Sequence, residues 1–301
     1  MIAFGASIQG AEAYRHYAEP GIRRATEPDS EIYAFAAVEP LARTYNLILD
    51  AAAEREDLEA LALVHSHTEI ADPLFCSKVR EALSDPEVAV VGCAGANGVR
   101  GIAWWEGEVT AGRLVQRYEE YGGGELPAYS WTPRDPPPAG VEAVDGQLLV
   151  LSPWAVRNLR FDEELMLNYG FDLDICLQAR AAGRRIAVAD LAAVYHRSVE
   201  LVGDLDVWIA AHVLVAEKWD AVLHGAVGGD EGWKRRARRA EADREAQRAI
   251  AFSTSLKLDA RVLELERELE EKTSSLSWRL TAPLRALNRW RRGSGEASCR
   301  S

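Results

Sequence analysis

The sequence predicts an α/β protein in which a doubly wound, mostly parallel sheet is flanked by helices and followed by a helical, partly coiled-coil C-terminal tail. Apolar runs of strand length alternate with amphipathic runs of helix length through the first half of the chain. Several of the strand-length runs are apolar throughout, which is typical of parallel strands covered by helices on both faces. Residues 233–275 are rich in charge and contain no glycine, so we expect a long helix there.

The first half of the chain follows a regular order of elements. Strand, helix, strand, helix, strand, helix and strand are predicted in turn by MIAFGAS, AEAYRHYAEPGIRRA, EIYAFAAV, PLARTYNLILDAAAER, LEALALVHS, DPLFCSKVREALSD and VAVVGCAGA. The third of these helices begins with an Asp N-cap and a proline. From Gly98 to Gly140 the chain is rich in Trp, Tyr, Gly and Pro, and we interpret this stretch as an insertion over the functional site.

The second half supplies two more strands and a domain boundary. We expect a strand at VDGQLLVLS, a helix from Ile175 to Ala182, a strand at VADLAAVYHRS and a helix at LDVWIAAHVLVAEKWD. The glycine-rich HGAVGGDEG then marks a break, so the domain is predicted to span residues 1–222.

The tail divides into two predicted segments. The first segment, residues 223–275, contains most of a heptad seam that ends at the first residue of the second segment. The seam consists of Leu258, Val262, Leu265, Leu269, Lys272 and Leu276. This seam predicts a short coiled coil that would join two copies of the chain, and a single helix packed on the domain is the alternative. Residues 276–301 predict a basic amphipathic helix with a flexible end, suited to the inner face of a membrane or to docking on protein, and Pro283 would shorten its apolar face.

Charge and cysteine content limit the partners and the cell compartment that we expect for this chain. The net charge is −12, yet residues 223–301 hold 17 Lys and Arg against 12 Asp and Glu, so the preceding domain is strongly acidic. This charge disfavours nucleic acid as a general partner, because phosphate binding depends mainly on Lys and Arg, and we expect no nucleic acid to bind. The four cysteines have no CxxC spacing, and neither a signal-peptide pattern nor ~18 uninterrupted apolar residues occurs. We therefore expect a cytoplasmic protein, with peripheral contact to the inner face of the membrane through the tail.

Two groups of polar residues stand where such a fold binds its ligands. Asp172 and Asp174 precede an apolar helix, and this spacing suits a general base and a supporting group, although an Asp there also caps a helix. His65 and His67 follow one predicted strand and His196 ends another. Ligands bind outside the carboxyl ends of parallel strands, and imidazole favours softer first-row metals. The alternative is that these histidines only hydrogen-bond a loop.

Three phrases carry a resemblance to a known family. LVHSHTEIADP resembles an HxDTEI phrase, FDLDICLQARAAG resembles a Glu-Asp-x-Asp phrase, and SWRLTAPLR resembles the tail of bacterial glycan-assembly enzymes. On these residues, the first 222 residues resemble a bacterial glycosyltransferase-like family related to family 2 transferases of the GT-A fold. The chain departs from the pattern at His67, where the relatives carry a metal-binding Asp, and at Phe171, where they carry Glu.

The resemblance implies a glycosyltransferase that moves a sugar from a nucleoside-diphosphate sugar to a glycan or lipid-linked acceptor with inversion. It implies Asp172 as the base, with Asp174 as its capping or metal-proximal partner. A divalent cation, Mn²⁺ or Mg²⁺, would be bound by His67, Glu69 and His196. The residues expected to bind the donor are Glu39, Asn46, Asp145, Gly146 and Arg180. The alternatives are a strand bulge for Gly146 and a solvated helix face for Arg180. Trp104 and Trp105 would stack an acceptor sugar, and a core role for one of them is the alternative.

Two rival functions stay open from the sequence. The His and Phe departures favour a catalytically degenerate protein that binds a glycan or scaffolds a cell-surface polysaccharide assembly pathway. A nucleotidyltransferase would need a basic signature loop after its first strand, and FGASIQGAEA contains neither Lys nor Arg. The donor base, the sugar and the acceptor remain unassigned.

Overall fold

The structure of the protein is a computed structural model. It describes residues 1–107, 109–112, 115–118, 139–165, 169–197, 202–223, 231–274 and 281. The chain divides into two compact units, Met1–Ala251 and Phe252–Ser301.

A large mixed sheet forms the centre of the first unit. Within the described residues the strands are β1 (Ile2–Ile8), β2 (Ile32–Ala36), β3 (Ala60–Val64), β4 (Thr68–Ile70), β5 (Val88–Gly92), β6 (Ala94–Asn97), β7 (Val109–Gly112), β8 (Val115–Tyr118), β9 (Ala139–Val141), β10 (Ala143–Val144), β11 (Leu148–Leu151), β12 (Arg185–Val188) and β13 (Ala193–Arg197). The central sheet has seven strands in the order β2-β1-β3-β11-β5-β12-β9. Neighbours are parallel except that β11 is antiparallel to β3 and β5, and β9 is antiparallel to β12.

Helices cover this sheet, as the apolar strands require. The helices are α1 (Ala11–Ala13), α2 (Glu19–Ala25), α3 (Leu41–Ala53), α4 (Phe75–Ala82), α5 (Pro153–Asn158), α6 (Phe171–Ala181), α7 (Leu205–Lys218), α8 (Asp220–Leu223) and α9 (Glu231–Ser274). A π-helical turn, Tyr14–Ala18, joins α1 to α2. Every residue of β3, β5 and β11 is buried. The predicted fold, a mostly parallel α/β sheet flanked by helices with a long C-terminal helix, is confirmed.

Two small sheets extend the edge where the central strands end. One has the order β10-β6-β7 and the other β4-β13-β8. In the second, β13 pairs antiparallel with β4 and parallel with β8. This pairing places the end of β13 beside the chain that leaves β3.

The first part of helix α9 lies in the first unit. This unit extends to Ala251, and α9 buries Ala242 and Ala246 in the same core as the sheet. The domain end at residue 222 stays a prediction. His212 of α7 is fully buried, and its Nδ1 lies 3.2 Å from Glu245 Oε2. The early part of α9 therefore belongs to this unit.

In the second unit, the described apolar heptad residues Leu258, Val262, Leu265 and Leu269 are exposed on α9. The predicted amphipathic helix of residues 276–301 lies outside the described residues, apart from Thr281 in a turn. None of the described helices combines the length and the apolar character needed to cross a membrane.

Candidate functional site

The site begins at the carboxyl ends of β1 and β3, where the chain turns at His65–His67. The Thr68 amide donates to the His65 carbonyl at 2.8 Å and closes the turn. The buried Ser66 hydroxyl donates to the Ser7 carbonyl at 2.8 Å and ties the turn to the end of β1. The side chains of His65 and His67 are half-buried at this edge of the sheet. Open α/β sheets bind their ligands at such an edge.

A second turn, Asp145–Gln147, lies against the first because β11 is antiparallel to β3. The His65 amide donates to the Gln147 carbonyl at 3.0 Å. The Gln147 amide in turn donates to Asp145 Oδ1 at 2.9 Å. The Gly146 amide donates to Asp172 Oδ2 at 3.1 Å. Hydrogen bonds of the main chain therefore connect the histidine turn to the predicted base.

Gly146 is required by the close approach of α6. A Cβ atom at this position would lie 2.7 Å from Phe171 Cζ and 2.9 Å from Asp172 Cβ. Contacts this short do not occur at real Cβ atoms, so a larger residue would displace the first turn of α6. The structure thus gives this glycine a packing role against α6, and its role in donor binding stays a prediction.

Asp172 lies in the first turn of α6 with its side chain half-buried. Burial, and then the charge of Asp145, raise the pKa of Asp172 to about 7, although its carboxylate accepts the Leu173 amide at 2.9 Å and the Gly146 amide. Asp172 is not the N-cap of α6. The N-cap residue is Gly170, at φ 80°, and no side chain caps this end of the helix. α6 also begins at Phe171, four residues before the predicted start. The structure therefore contains a carboxyl group poised to exchange a proton near neutral pH.

Asp174, the second acidic residue, is held in a buried polar network. Its side chain is 1% exposed and accepts hydrogen bonds from Gln178 Nε2, Trp219 Nε1 and Lys218 Nζ, each at 2.7 Å. The network joins α6 to the end of α7. Sequence patterns did not identify Lys218 or Trp219, because both lie more than forty residues along the chain and only the fold brings them here.

His196 and Glu69 form a pair beside the histidine turn. The His196 amide donates to the His67 carbonyl at 2.9 Å, and His196 Nε2 lies 3.1 Å from Glu69 Oε2. Arg24 donates to Glu69 Oε1 at 3.0 Å. Burial raises the pKa of Glu69, but the hydrogen bonds from Arg24 and His196 outweigh it and hold that pKa below its usual value. This carboxylate is therefore ionised and already paired.

Two tyrosines complete the cluster. Tyr17, in the π-helical turn, stacks on His196 with ring centroids 3.9 Å apart and an interplanar angle of 10°. Its ring centroid lies 6.4 Å from that of His67. Tyr195 meets His65 edge-on at 5.6 Å. Neither tyrosine is predicted from the sequence, since Tyr17 sits in an ordinary helical pattern. The one available signal is that Tyr195 precedes a histidine at the end of a strand. π-helical turns are frequent at functional sites.

The predicted metal ligands do not converge on one point. Among the residues that the structure describes, no group of three or more His, Cys, Asp or Glu side chains is arranged to hold a metal ion. His67 and His196 are neighbours through the main chain, but Glu69 is bound to His196 and Arg24. The residues present do not fit a divalent cation held by His67, Glu69 and His196.

The other predicted donor-binding residues have varied surroundings. Asn46 Nδ2 donates to the Phe161 carbonyl, and the Phe161 amide donates to Asn46 Oδ1, each at 2.9 Å. Asn46 therefore joins α3 to the segment after α5. Arg180 pairs with Glu142 at 3.3 Å. Glu39 is exposed beyond the end of β2. Of the five, Asp145 and Gly146 are the two that adjoin Asp172.

The two predicted acceptor residues differ in burial. Trp104 is 2% exposed and belongs to the core. Trp105 is half-buried and packs against Trp208, with ring centroids 5.7 Å apart. The core alternative therefore applies to Trp104, and Trp105 keeps a partly open face.

No protein-family model matches this chain. Over 203 residues it is 27% identical to the streptomycin biosynthesis protein StrF of Streptomyces griseus, a match that covers 66% of this chain and 67% of that protein. It is similar to the mannosyltransferase PcManGT from Pyrobaculum calidifontis in complex with GDP-Man and Mn²⁺, with 12% identity, a TM-score of 0.46, and coverage of 95% of this chain and 83% of that one. It is also similar to GalNAc-T7 with UDP, GalNAc and Mn²⁺, with 12% identity, a TM-score of 0.46, and coverage of 84% of this chain and 56% of that one.

Proposed function

We propose that the chain is a glycosyltransferase that moves a sugar from a nucleoside-diphosphate sugar to a hydroxyl group of a glycan or lipid-linked acceptor, with inversion. The observation that carries this proposal is Asp172. Its pKa is raised to about 7, and main-chain hydrogen bonds position it at the ligand-binding edge of the sheet. A base whose pKa lies near the working pH is the group that such a transfer needs.

The reaction is a direct displacement. Asp172 takes the proton of the acceptor hydroxyl while that oxygen forms a bond to the anomeric carbon of the donor sugar. The bond between this carbon and the diphosphate oxygen breaks, and its electron pair leaves with the nucleoside diphosphate. Attack from the side opposite the leaving group inverts the anomeric centre. No step is assigned to a metal ion, because the predicted ligands do not fit one.

The surrounding residues position the reactants. We place the donor diphosphate at the histidine turn and the nucleoside toward the end of β2, where Glu39 is exposed. Trp105 is available to an acceptor sugar ring on its open face. Asp174 and Asn46 are positioning residues, since their hydrogen bonds hold α6, α7 and the segment after α5 in place.

The test is a donor screen with a matched variant. The full chain is incubated with UDP-, GDP-, CDP- and dTDP-sugars, and release of the nucleoside diphosphate is measured with and without glycan and lipid-linked acceptors. We expect release with one donor class, and a fall in turnover of about 10² to 10⁴ in Asp172→Asn with donor binding retained. Release by no donor, or turnover of the variant within about threefold of wild type, would refute the proposal.

A second candidate function rests on a different observation. The exposed residues Leu258, Val262, Leu265 and Leu269 give the second unit an apolar face that suits a scaffold protein joined in pairs. In this reading the domain binds a glycan without transferring sugar. Light scattering of the full chain and of its Leu265→Glu variant distinguishes a paired protein from a monomer. A monomer in both samples excludes pairing through this face.

The membrane contact of residues 276–301 remains a prediction. Flotation of the full chain with anionic vesicles, compared with a version ending at Ser275, tests it. Equal flotation of both versions would place the contact elsewhere or exclude it.

A further inference from the structure

An open cleft of about 640 Å³ lies between α7 and the beginning of α9. One wall is a face of α7, because the apolar residues that line it stand at positions i, i+1, i+4 and i+5 of that helix: Ile209, Ala210, Val213 and Leu214. Ala210 is exposed, and Leu214 is 38% exposed. A cleft of this size can take a small organic ligand, and the apolar wall favours a ligand with a hydrocarbon part.

The other wall of the cleft is basic. It is formed by Arg235, Arg236 and Arg239, which share one side of α9 because Arg239 is three or four residues from the other two. They belong to the run WKRRARR at residues 233–239, which holds five basic residues and no acidic one. Arg235 is paired with Glu217 at 3.1 Å. Among the residues that the structure describes, no carboxylate forms an ion pair with Arg236 or Arg239.

One acidic residue also lines the cleft. Asp206 is exposed in the first turn of α7. The arginines outnumber it, and the lining stays positively charged even when Arg235 is counted as neutralised by Glu217. Because the chain as a whole has a net charge of −12, this positive cleft is a local exception. An anionic group is therefore the ligand whose charge complements the cleft.

An exposed tryptophan adjoins the basic wall. Trp233 is 69% exposed, and the Arg236 guanidinium lies 5.3 Å from its ring centroid. Tryptophan is enriched where a membrane meets water, because its ring is apolar and its N–H is polar. Exposed apolar side chains beside arginines and a tryptophan are typical of segments that lie on a membrane surface. A nucleic acid would pair with the arginines but would leave the apolar wall around Leu214 without a partner.

We propose that this cleft binds an anionic phospholipid at the surface of a bilayer, with the headgroup phosphate at Arg236 and Arg239 and the upper part of an acyl chain on the apolar face of α7. The guanidinium group suits this role, since its N–H groups bind phosphate oxygens in pairs. The proposal does not depend on the transferase function. It also differs from the predicted contact through residues 276–301, because every residue of the cleft lies in the first unit.

The first test measures how the full chain partitions onto vesicles. The vesicles consist of phosphatidylcholine alone or of phosphatidylcholine mixed with phosphatidylglycerol, and we expect binding to the mixed ones. Arg239→Gln should lower the partition coefficient about fivefold, and the double variant Arg236→Gln/Arg239→Gln about 25-fold. Arg244→Gln removes the same charge from an exposed arginine of α9 outside the cleft, so it should change the coefficient by less than about twofold. No binding of the wild-type chain to the mixed vesicles overturns the proposal.

The second test concerns the apolar wall. Leu214→Ser should weaken partitioning about three- to sixfold, since a partly exposed leucine loses its contact with the acyl chain. Leu47→Ser changes a leucine of α3 that is 46% exposed, and it should bind as wild type does.

Three outcomes would overturn the proposal, each measured on variants shown by circular dichroism to be folded. Equal partitioning of wild type, Arg239→Gln and Leu214→Ser would assign vesicle binding to another part of the chain. A loss in Arg239→Gln without a loss in Leu214→Ser would indicate a site for polyanions, nucleic acid among them. Complete displacement from the vesicles by inorganic phosphate at constant ionic strength would indicate a site for the free anion.

Discussion

The raised pKa of Asp172 predicts the pH dependence of the proposed transfer. With a pKa of about 7, about one tenth of this carboxyl is ionised at pH 6 and about nine tenths at pH 8. Only the ionised form accepts a proton, so kcat/KM should rise about tenfold between these values and level off above pH 8. Initial rates from pH 5.5 to 8.5 at subsaturating donor measure it. A flat profile over this range would show that Asp172 is not the base.

A substitution of the neighbouring Asp145 should shift the acidic limb of this profile, which is the pH range over which kcat/KM rises. Burial is the main cause of the raised pKa and the charge of Asp145 is the second. Asp145→Asn removes that charge, and its amide oxygen can still accept the Gln147 amide. The pKa of Asp172 should fall, and the limb should shift to lower pH. Asp50→Asn, an exposed change on α3, serves as the control and should leave the limb in place.

The same pKa shift has a consequence for stability. A carboxyl whose pKa is raised on folding holds its proton more tightly in the folded state, so the free energy of unfolding falls as pH rises from about 4 to about 7. A shift of this size corresponds to about 4 kcal/mol, which we reduce to about 2 kcal/mol because the side chain is half-buried and partly screened by solvent.

Asp172→Asn should therefore gain stability relative to wild type as the pH is raised, and this gain should be complete near pH 8. Urea unfolding of both proteins at pH 5 and pH 8 provides the measurement. The same difference between the two proteins at both pH values would contradict the raised pKa itself, whatever the activity assays show.

Three further predictions follow from packing. Gly146→Ala should lower both turnover and the melting temperature because its Cβ meets α6, whereas Gly140→Ala, which has nothing within 4 Å, should change neither. Asp174→Leu should cost about 1–3 kcal/mol in urea unfolding, since it leaves the Trp219 indole N–H without its acceptor while Lys218 keeps its pair with Asp162. Ala246→Asp puts a charge into the core and should make α9 sensitive to limited proteolysis, whereas Ala240→Asp on the exposed face should leave it resistant.

The elements of the fold could be predicted from sequence because their signals are local. Apolar runs such as VAVVG and ALALV predict buried strands by composition alone, and the amphipathic run at 41–53 predicts a helix. The direction of β11 could not be predicted in this way. Its residues read as an ordinary buried strand, and its antiparallel pairing is decided by contacts with β3 and β5 that are distant in sequence.

The candidate site also contains residues with a local sequence signal and residues whose role depends on contacts distant in sequence. Asp172 is predicted as the base because its neighbourhood resembles a known phrase, and Gly146 is predicted to contact the donor because a glycine before a strand suggests close approach of the backbone. The role of Asp174 depends on Lys218 and Trp219, and that of Asn46 on the backbone of Phe161. None of these partners has a sequence signal of its own. Likewise, α9 looks like a solvated helix in sequence, and its small buried alanines become meaningful only when the core is known.

The antiparallel course of β11 has a consequence for how this protein could diversify. The link from the histidine turn to the Asp145–Gln147 turn runs from the His65 amide to the Gln147 carbonyl, and the link to α6 runs from the Gly146 amide to the Asp172 carboxylate. Exchange of the His67 side chain therefore leaves both links in place, whereas exchange of His65 would also remove the Nδ1 atom that accepts the His67 amide. Substrate chemistry and scaffold are separable here, so point substitutions at this turn could alter ligand preference in a descendant sequence while its fold stays the same.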